Sequence, residues 1–274
     1  MLAYFSIYLP LISTILIPPS TTTMKDIAAQ FEAVLFDLDG VLTPTAKIHA
    51  ACWKRVFDNF LEQRAQMAAN KSFVPFDIQR DYLLYVDGKP RYPGVESFLA
   101  SRGIQLPYGN PNDPPNQTTV CGLGNSKDSY FASVLREEGI AAEPGALALV
   151  HHLRAAGVKT AVVSSSRNCK EVLKVANILS LFDSIVDGRL AEQLSLPGKP
   201  APDTFLYAAE QLGCQPRQAA VFEDAIAGVQ AGKRGHFGLV VGVAHGDNAQ
   251  ALRENGADRV VSDLQEMLPA SPLT

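Results

Sequence analysis

Residues 33–36, Ala-Val-Leu-Phe, form an unbroken apolar run that ends on Asp37-Leu38-Asp39-Gly40. A run of that length before a turn signal predicts a strand buried on both faces. Positions i and i+2 of a strand share a side, so Asp37 and Asp39 are expected together at its carboxyl end, where open α/β sheets bind ligands. After residue 45 the period changes. Residues 47–69 set Ile48, Cys52, Val56, Phe57, Phe60 and Leu61 on one helical face, and 76–84, 95–101 and 126–138 also read as helices. Residues 86–91 read as a loop, as do 110–117, which hold three prolines. No segment between 47 and 139 reads as a convincing strand.

From residue 140 onward strands and helices alternate. Strands are expected at 158–163, 184–186, 219–222, 238–243 and 259–261. Helices are expected at 146–156, 169–176, 203–212, 225–233 and 249–255. Alternation of this kind implies right-handed crossovers and a parallel sheet. The expected architecture is therefore an α/β, doubly wound, Rossmann-like core made of residues 24–44 plus 140–274, with an all-helical cap, 45–139, inserted after the Asp pair. A cap rooted beside the site can close over it, excluding water and selecting substrate. Residues 2–17 are apolar and aromatic, interrupted by Pro10, Ser20-Thr21-Thr22-Thr23 follows, and no Lys or Arg occurs before Lys25. The apolar stretch is short for a membrane span and lacks the basic start of a signal peptide. Residues 1–23 read as a disordered or misassigned extension, with Met24 the functional start.

Composition narrows the partners. The chain has 274 residues and a net charge of -4, with no run of basic residues, which argues against a nucleic-acid partner. The four cysteines are far apart and form no C-x-x-C pair, so neither a zinc site nor a disulfide framework is expected. A reducing cytoplasm, no stable membrane association and a monomeric state are the corresponding expectations.

Two nearby carboxylates repel unless something neutralises them, and a hard cation such as Mg2+ prefers oxygen ligands. Three further polar clusters follow apolar runs. Ser164-Ser165-Ser166-Arg167-Asn168 follows the strand at 158–163 and reads either as an anion site or as an N-cap. Lys199, in Gly198-Lys199-Pro200, is either a phosphate-holding point charge or a solvated lysine. Glu223-Asp224 ends another strand and serves either a metal or the next helix. Together with the Asp pair they form a far more specific pattern than any one of them does.

These residues resemble the four motifs of the haloacid dehalogenase superfamily, over about residues 24–265 and, within it, the β-phosphoglucomutase group with a helical cap. The resemblance implies an aspartyl nucleophile at Asp37 and a general acid/base at Asp39. It implies Mg2+ held by the Asp37 carboxylate, the Asp39 carbonyl and Asp224, with Glu223 supporting, and a transferring phosphoryl group held by Ser164 and Lys199. It further implies a small phosphorylated sugar whose second phosphate is gripped by Arg91 and Lys127 of the cap and by Ser166 and Asn168, with Ser165 beside them. Gly88 belongs to the Arg loop, and His49 and Trp53 fit an early cap His and Trp. Three departures stand out: Pro44 where the group often has Asp, Gly88-Lys89-Pro90-Arg91 in place of Gly-x-Ser-Arg, and the Pro-rich stretch 106–117. A bound sugar hydroxyl as acceptor would make the enzyme a mutase. Water as acceptor would make it a phosphatase. A non-catalytic binding role is disfavoured because every chemical position is filled.

Overall fold

The computed structural model describes residues 26–67 and 73–269. The expectations about residues 1–23, about Met24 and about the last turn of the helix at 47–69 lie outside the described residues. Six strands, β1 (Ala33–Phe36), β2 (Lys159–Val163), β3 (Ser184–Val186), β4 (Ala219–Glu223), β5 (Leu239–Val243) and β6 (Arg259–Val261), form one sheet. All neighbours are parallel, in the order β3-β2-β1-β4-β5-β6. This is the doubly wound arrangement, and its direction of winding reverses between β1 and β4, the crevice where such sheets bind ligands. Helices α4 (Pro144–Ala155), α5 (Cys169–Val175), α6 (Gly188–Gln193), α7 (Asp203–Leu212), α8 (Ile226–Arg234) and α9 (Ala249–Glu254) flank it. β1 is wholly buried. Its alternate residues feed two apolar layers, Val34 and Phe36 on one face and Ala33 and Leu35 on the other. Burial on both faces is why the strand reads as a continuous apolar run rather than an alternation.

Among the described residues, 45–138 are helical wherever they carry regular structure. They comprise α1 (Thr45–Met67), a widely wound segment Ile78–Val86, α2 (Arg91–Ser101) and α3 (Val120–Glu138). They enclose their own aromatic core, in which Phe57 packs on Phe76, Phe98 and Trp53 at centroid distances of 5.1, 4.2 and 5.2 Å. Among the described residues no helix is long and apolar enough to cross a membrane.

Three local expectations need correction. α3 begins at Val120, one and a half turns before the expected Ser126, because Thr119 caps it by accepting from Gly122 N at 2.9 Å. Residues 78–86 form i→i+5 turns instead of an α-helix, with Tyr82 N donating to Asp77 O at 3.1 Å and Asp87 N to Tyr82 O at 2.9 Å. α6 was not anticipated: it is a short helix capped by Asp187, which accepts from Leu190 N at 2.8 Å.

Candidate active site

The strand ends after Phe36, so Asp37 and Asp39 meet through a turn and not through strand alternation. Asp39 N donates to Asp37 Oδ2 at 2.8 Å, and Gly40 reverses the chain at φ +86°. A side chain at Gly40 would also lie 1.9 Å from Asp224 Oδ2, so glycine is required by close approach as well as by conformation. The register pairs Phe36 with Phe222, and Asp37 N donates to Phe222 O at 2.9 Å. Asp37, Glu223 and Asp224 therefore converge at the switch point, each offering a carboxylate oxygen within 4.8 Å of the others.

Lys199 sits in the same cluster. Its ammonium is ion-paired with Asp37, lies 2.5 Å from Glu223 Oε1 and donates to Val163 O at 2.9 Å. Its burial opposes the charge, but the two carboxylates outweigh that and hold its pKa above the ordinary lysine value. Burial pushes Asp37 well above the usual carboxylate range despite Lys199, with Glu223 and Asp39 adding to the rise. Burial also raises Asp224, and the nearby acids Asp87, Asp37, Glu223 and Asp39 raise it further. The imidazole of His245 lies 3.8 Å from Asp224 Oδ2 and is half exposed. Three buried carboxylates sharing one lysine make an all-oxygen donor set that fits a hard divalent cation.

Asp39 belongs to a second set. It accepts from Thr45 Oγ1 and lies 3.1 Å from His49 Nε2. The other ring nitrogen of His49 meets the Lys127 ammonium. An ammonium only donates, so Nδ1 accepts and the ring proton sits on Nε2, directed at Asp39. Burial would raise Asp39, but His49, Thr45 and Lys127 together hold it down at about 2. Burial lowers Lys127 to about 8 in spite of Asp39 and Asp128.

Asp37, Asp39, Asp224, His49, Trp53, Gly88, Arg91, Lys127, Ser165 and Ser166 all line one cavity between cap and core. Four of the expected residues stand behind its wall. Lys199 and Glu223 back Asp37. Ser164 Oγ accepts from Ser166 N at 3.0 Å, and Asn168 Nδ2 donates to Asp128 Oδ1 at 2.6 Å. Arg91 Nη2 pairs with the other oxygen of Asp128 at 2.8 Å, so Asp128 ties cap to core. Ser165 Oγ adds a second tie, donating to Gly88 O at 2.8 Å.

Sequence reasoning missed Arg167, Asp87 and Tyr82, which share the cavity. Arg167 was visible as a cation inside the serine cluster. Desolvation, with Glu223 and Asp39 nearby, raises Asp87 to about 7 against a hydrogen bond from Tyr82. Only the wide turn at 82–87 brings Asp87 to the site, and no local pattern announces that turn.

A family model for haloacid dehalogenase-like hydrolases matches residues 31–236. The chain is 47% identical over 254 residues to a β-phosphoglucomutase of Mycobacterium bovis, covering 92% of this chain and 97% of that protein. It is 32% identical over 236 residues to the β-phosphoglucomutase of Bacillus subtilis, covering 86% and 91%. The crystal structure of a β-phosphoglucomutase from Clostridium difficile superposes with a TM-score of 0.66 at 25% identity, covering 86% of this chain and 92% of that one. The chain belongs to the haloacid dehalogenase-like hydrolase family and is an enzyme of its β-phosphoglucomutase-like branch.

Proposed function

We infer that the enzyme is a Mg2+-dependent phosphosugar mutase that interconverts β-glucose 1-phosphate and glucose 6-phosphate through an aspartyl-phosphate on Asp37. The observation that carries this reading is that the cap cations Arg91 and Lys127 line the same cavity as the core carboxylates Asp37 and Asp39. A hydrolase needs only the core end. A mutase must also hold a second phosphate while the sugar presents a hydroxyl to the first.

An incoming sugar hydroxyl gives its proton to Asp39 and takes the phosphoryl group from Asp37; in the return transfer Asp37 attacks the phosphorus at the other end of the bisphosphate, the bond from phosphorus to sugar oxygen breaks, and Asp39 gives that oxygen the proton it took. With its carboxyl held at about 2, Asp39 is ionised and ready to accept that proton. Lys199 orients Asp37 and supplies positive charge beside the transferring group. Mg2+, held by Asp37, the Asp39 carbonyl and Asp224 with Glu223 in support, would neutralise the phosphoryl oxygens. Cap closure keeps water from competing with the sugar hydroxyl.

The test is a phosphorus NMR time course with Mg2+, β-glucose 1-phosphate and a trace of glucose 1,6-bisphosphate. Growth of glucose 6-phosphate with little free phosphate, absent from Asp37→Asn, is the expected result. Free phosphate growing in step with substrate loss would make the enzyme a hydrolase and overturn the mutase reading.

A further inference from the structure

The Pro-rich segment between α2 and α3 does not line the active-site cavity at any of residues 106–119. It is nevertheless fastened to one of the cavity's cations. Its tip is closed internally: the Asp113 carboxylate accepts from Thr119 Oγ1 at 2.6 Å and from Asn110 N at 3.1 Å. The tip is also fastened to the body of α3 by Asn125, with the Tyr92 hydroxyl reaching Pro111 O at 3.4 Å. Asn125 Nδ2 donates to the carbonyls of Pro111 and Asp113 at 3.0 and 2.8 Å.

The other end of the same amide faces Arg91. Asn125 Oδ1 accepts from Arg91 Nη1 and from the Tyr92 hydroxyl, both at 3.0 Å. An asparagine whose two donor hydrogens are both engaged by the loop cannot rotate its oxygen away from Arg91 without breaking them. α3 supplies two more restraints. Asp128, one turn on, takes Arg91 Nη2. Gly124 makes room for the shaft of Arg91, since a side chain there would stand 2.9 Å from Arg91 Cδ. The guanidinium is thus fixed along its length and at two nitrogens, and it keeps further N–H groups for a ligand. An arginine held this way has already lost the rotamer freedom that binding would otherwise cost.

We propose that the Pro-rich segment is a brace whose force passes through Asn125, a positioning residue that fixes Arg91 for the phosphate at the far end of the sugar. The proposal rests on the reading of Arg91 as the grip for that phosphate. The segment selects the substrate without touching it: it sets where the cationic end of the cavity stands, and so favours ligands carrying phosphate at a fixed distance from Asp37.

The experiment compares Arg91→Ala, Asn125→Ala, Asp113→Ala and the Arg91→Ala/Asn125→Ala double variant, each in the full chain. Two substrates are used: β-glucose 1-phosphate, and acetyl phosphate, a phosphoryl donor too small to reach Arg91. Loosening the brace should raise KM for the phosphosugar about ten-fold, the size of one charge-assisted hydrogen bond. In Asn125→Ala and Asp113→Ala the turnover of acetyl phosphate should stay at the wild-type rate, and the double variant should be no worse on the phosphosugar than Arg91→Ala alone, since residues acting through one another are not additive. If Asn125→Ala fails to fold, Asp113→Ala carries the same test from outside the cavity. Normal KM values in both brace variants alongside a raised KM in Arg91→Ala would overturn the brace and leave the mutase reading intact. An unchanged KM in Arg91→Ala would instead overturn the reading of Arg91 itself. Equal losses on acetyl phosphate would show general damage and also sink the proposal.

Discussion

Replacing Asp224 with Asn should make the metal-free protein more stable while abolishing its response to Mg2+. Asp224 is 6% exposed, and its carboxylate oxygen lies within 4.8 Å of those of Asp37 and Glu223. At an effective dielectric constant of about 20, two like charges at that range repel by roughly 3.5 kcal/mol. Lys199 spends its charge on Asp37 and Glu223, which reduces the repulsion that reaches Asp224 without removing it. A net gain of about 1–3 kcal/mol is expected from Asp224→Asn in chelator, because the amide also removes a buried charge. For a chain of this size that corresponds to about 2–4 °C in Tm per kcal/mol. The wild type should then recover in Mg2+, gaining about 2.7 kcal/mol at a hundred-fold excess over Kd, whereas the variant should not move. Thermal melts with EDTA and with Mg2+ read both effects. A variant less stable than the wild type in EDTA would refute the charge argument, and equal Mg2+ shifts in both proteins would refute the assignment of Asp224 to the cation.

Gly88 stands at φ +69°, and a side chain there would lie 2.8 Å from Ala225 Cβ across the cap–core seam; Gly88→Ala should lower kcat/KM for the phosphosugar at least about ten-fold by misplacing the cap and should enlarge the radius measured by small-angle X-ray scattering. Lys127, lowered to about 8 by burial, should lose its charge as pH rises past that value, so KM for the phosphosugar should climb above about pH 8 in the wild type and be flat there in Lys127→Met. The same group gives a stability signature of fixed sign: its folded pKa lies below the unfolded one, so the penalty is full below about pH 8 and is relieved between there and 10.5. Denaturation midpoints of the wild type should therefore rise relative to Lys127→Met across that window.

Much of the core was legible because buried parallel strands write themselves as apolar runs, and chemistry follows at their carboxyl ends. Ala33–Phe36 before Asp37 and Ala219–Phe222 before Glu223 are both of this kind. The start of α3 was not legible, since Val120 to Asn125 carries two glycines, poor helix formers by propensity. Tertiary contact explains them: a side chain at Gly122 would meet Gln117 O at 2.1 Å, and one at Gly124 would meet Arg91. The helix tolerates glycine there because the Pro-rich segment and Arg91 lie against it. Asp87 was missed for a related reason. Its place in the cavity depends on an i→i+5 turn fixed by packing of the cap, while its sequence neighbours Val86 and Gly88 spell only a loop.

The charges in the cavity also order the events of the proposed cycle. Asp37, Asp39, Asp87 and Asp224 line the cavity together with Lys89, Arg91, Lys127 and Arg167, and Glu223 and Lys199 stand behind Asp37. Lys199 is already committed to two carboxylates, and Lys127 is shared with His49. Arg91 is paired with Asp128. At the core end a phosphate dianion meets the carboxylates directly and is repelled unless a cation stands between them. On the proposed reading, a divalent cation held by Asp37 and Asp224 would bind before the phosphosugar or together with it. Substrate affinity should accordingly fall in chelator, which titration of the phosphosugar with and without EDTA measures, and equal affinity in both would refute the charge argument.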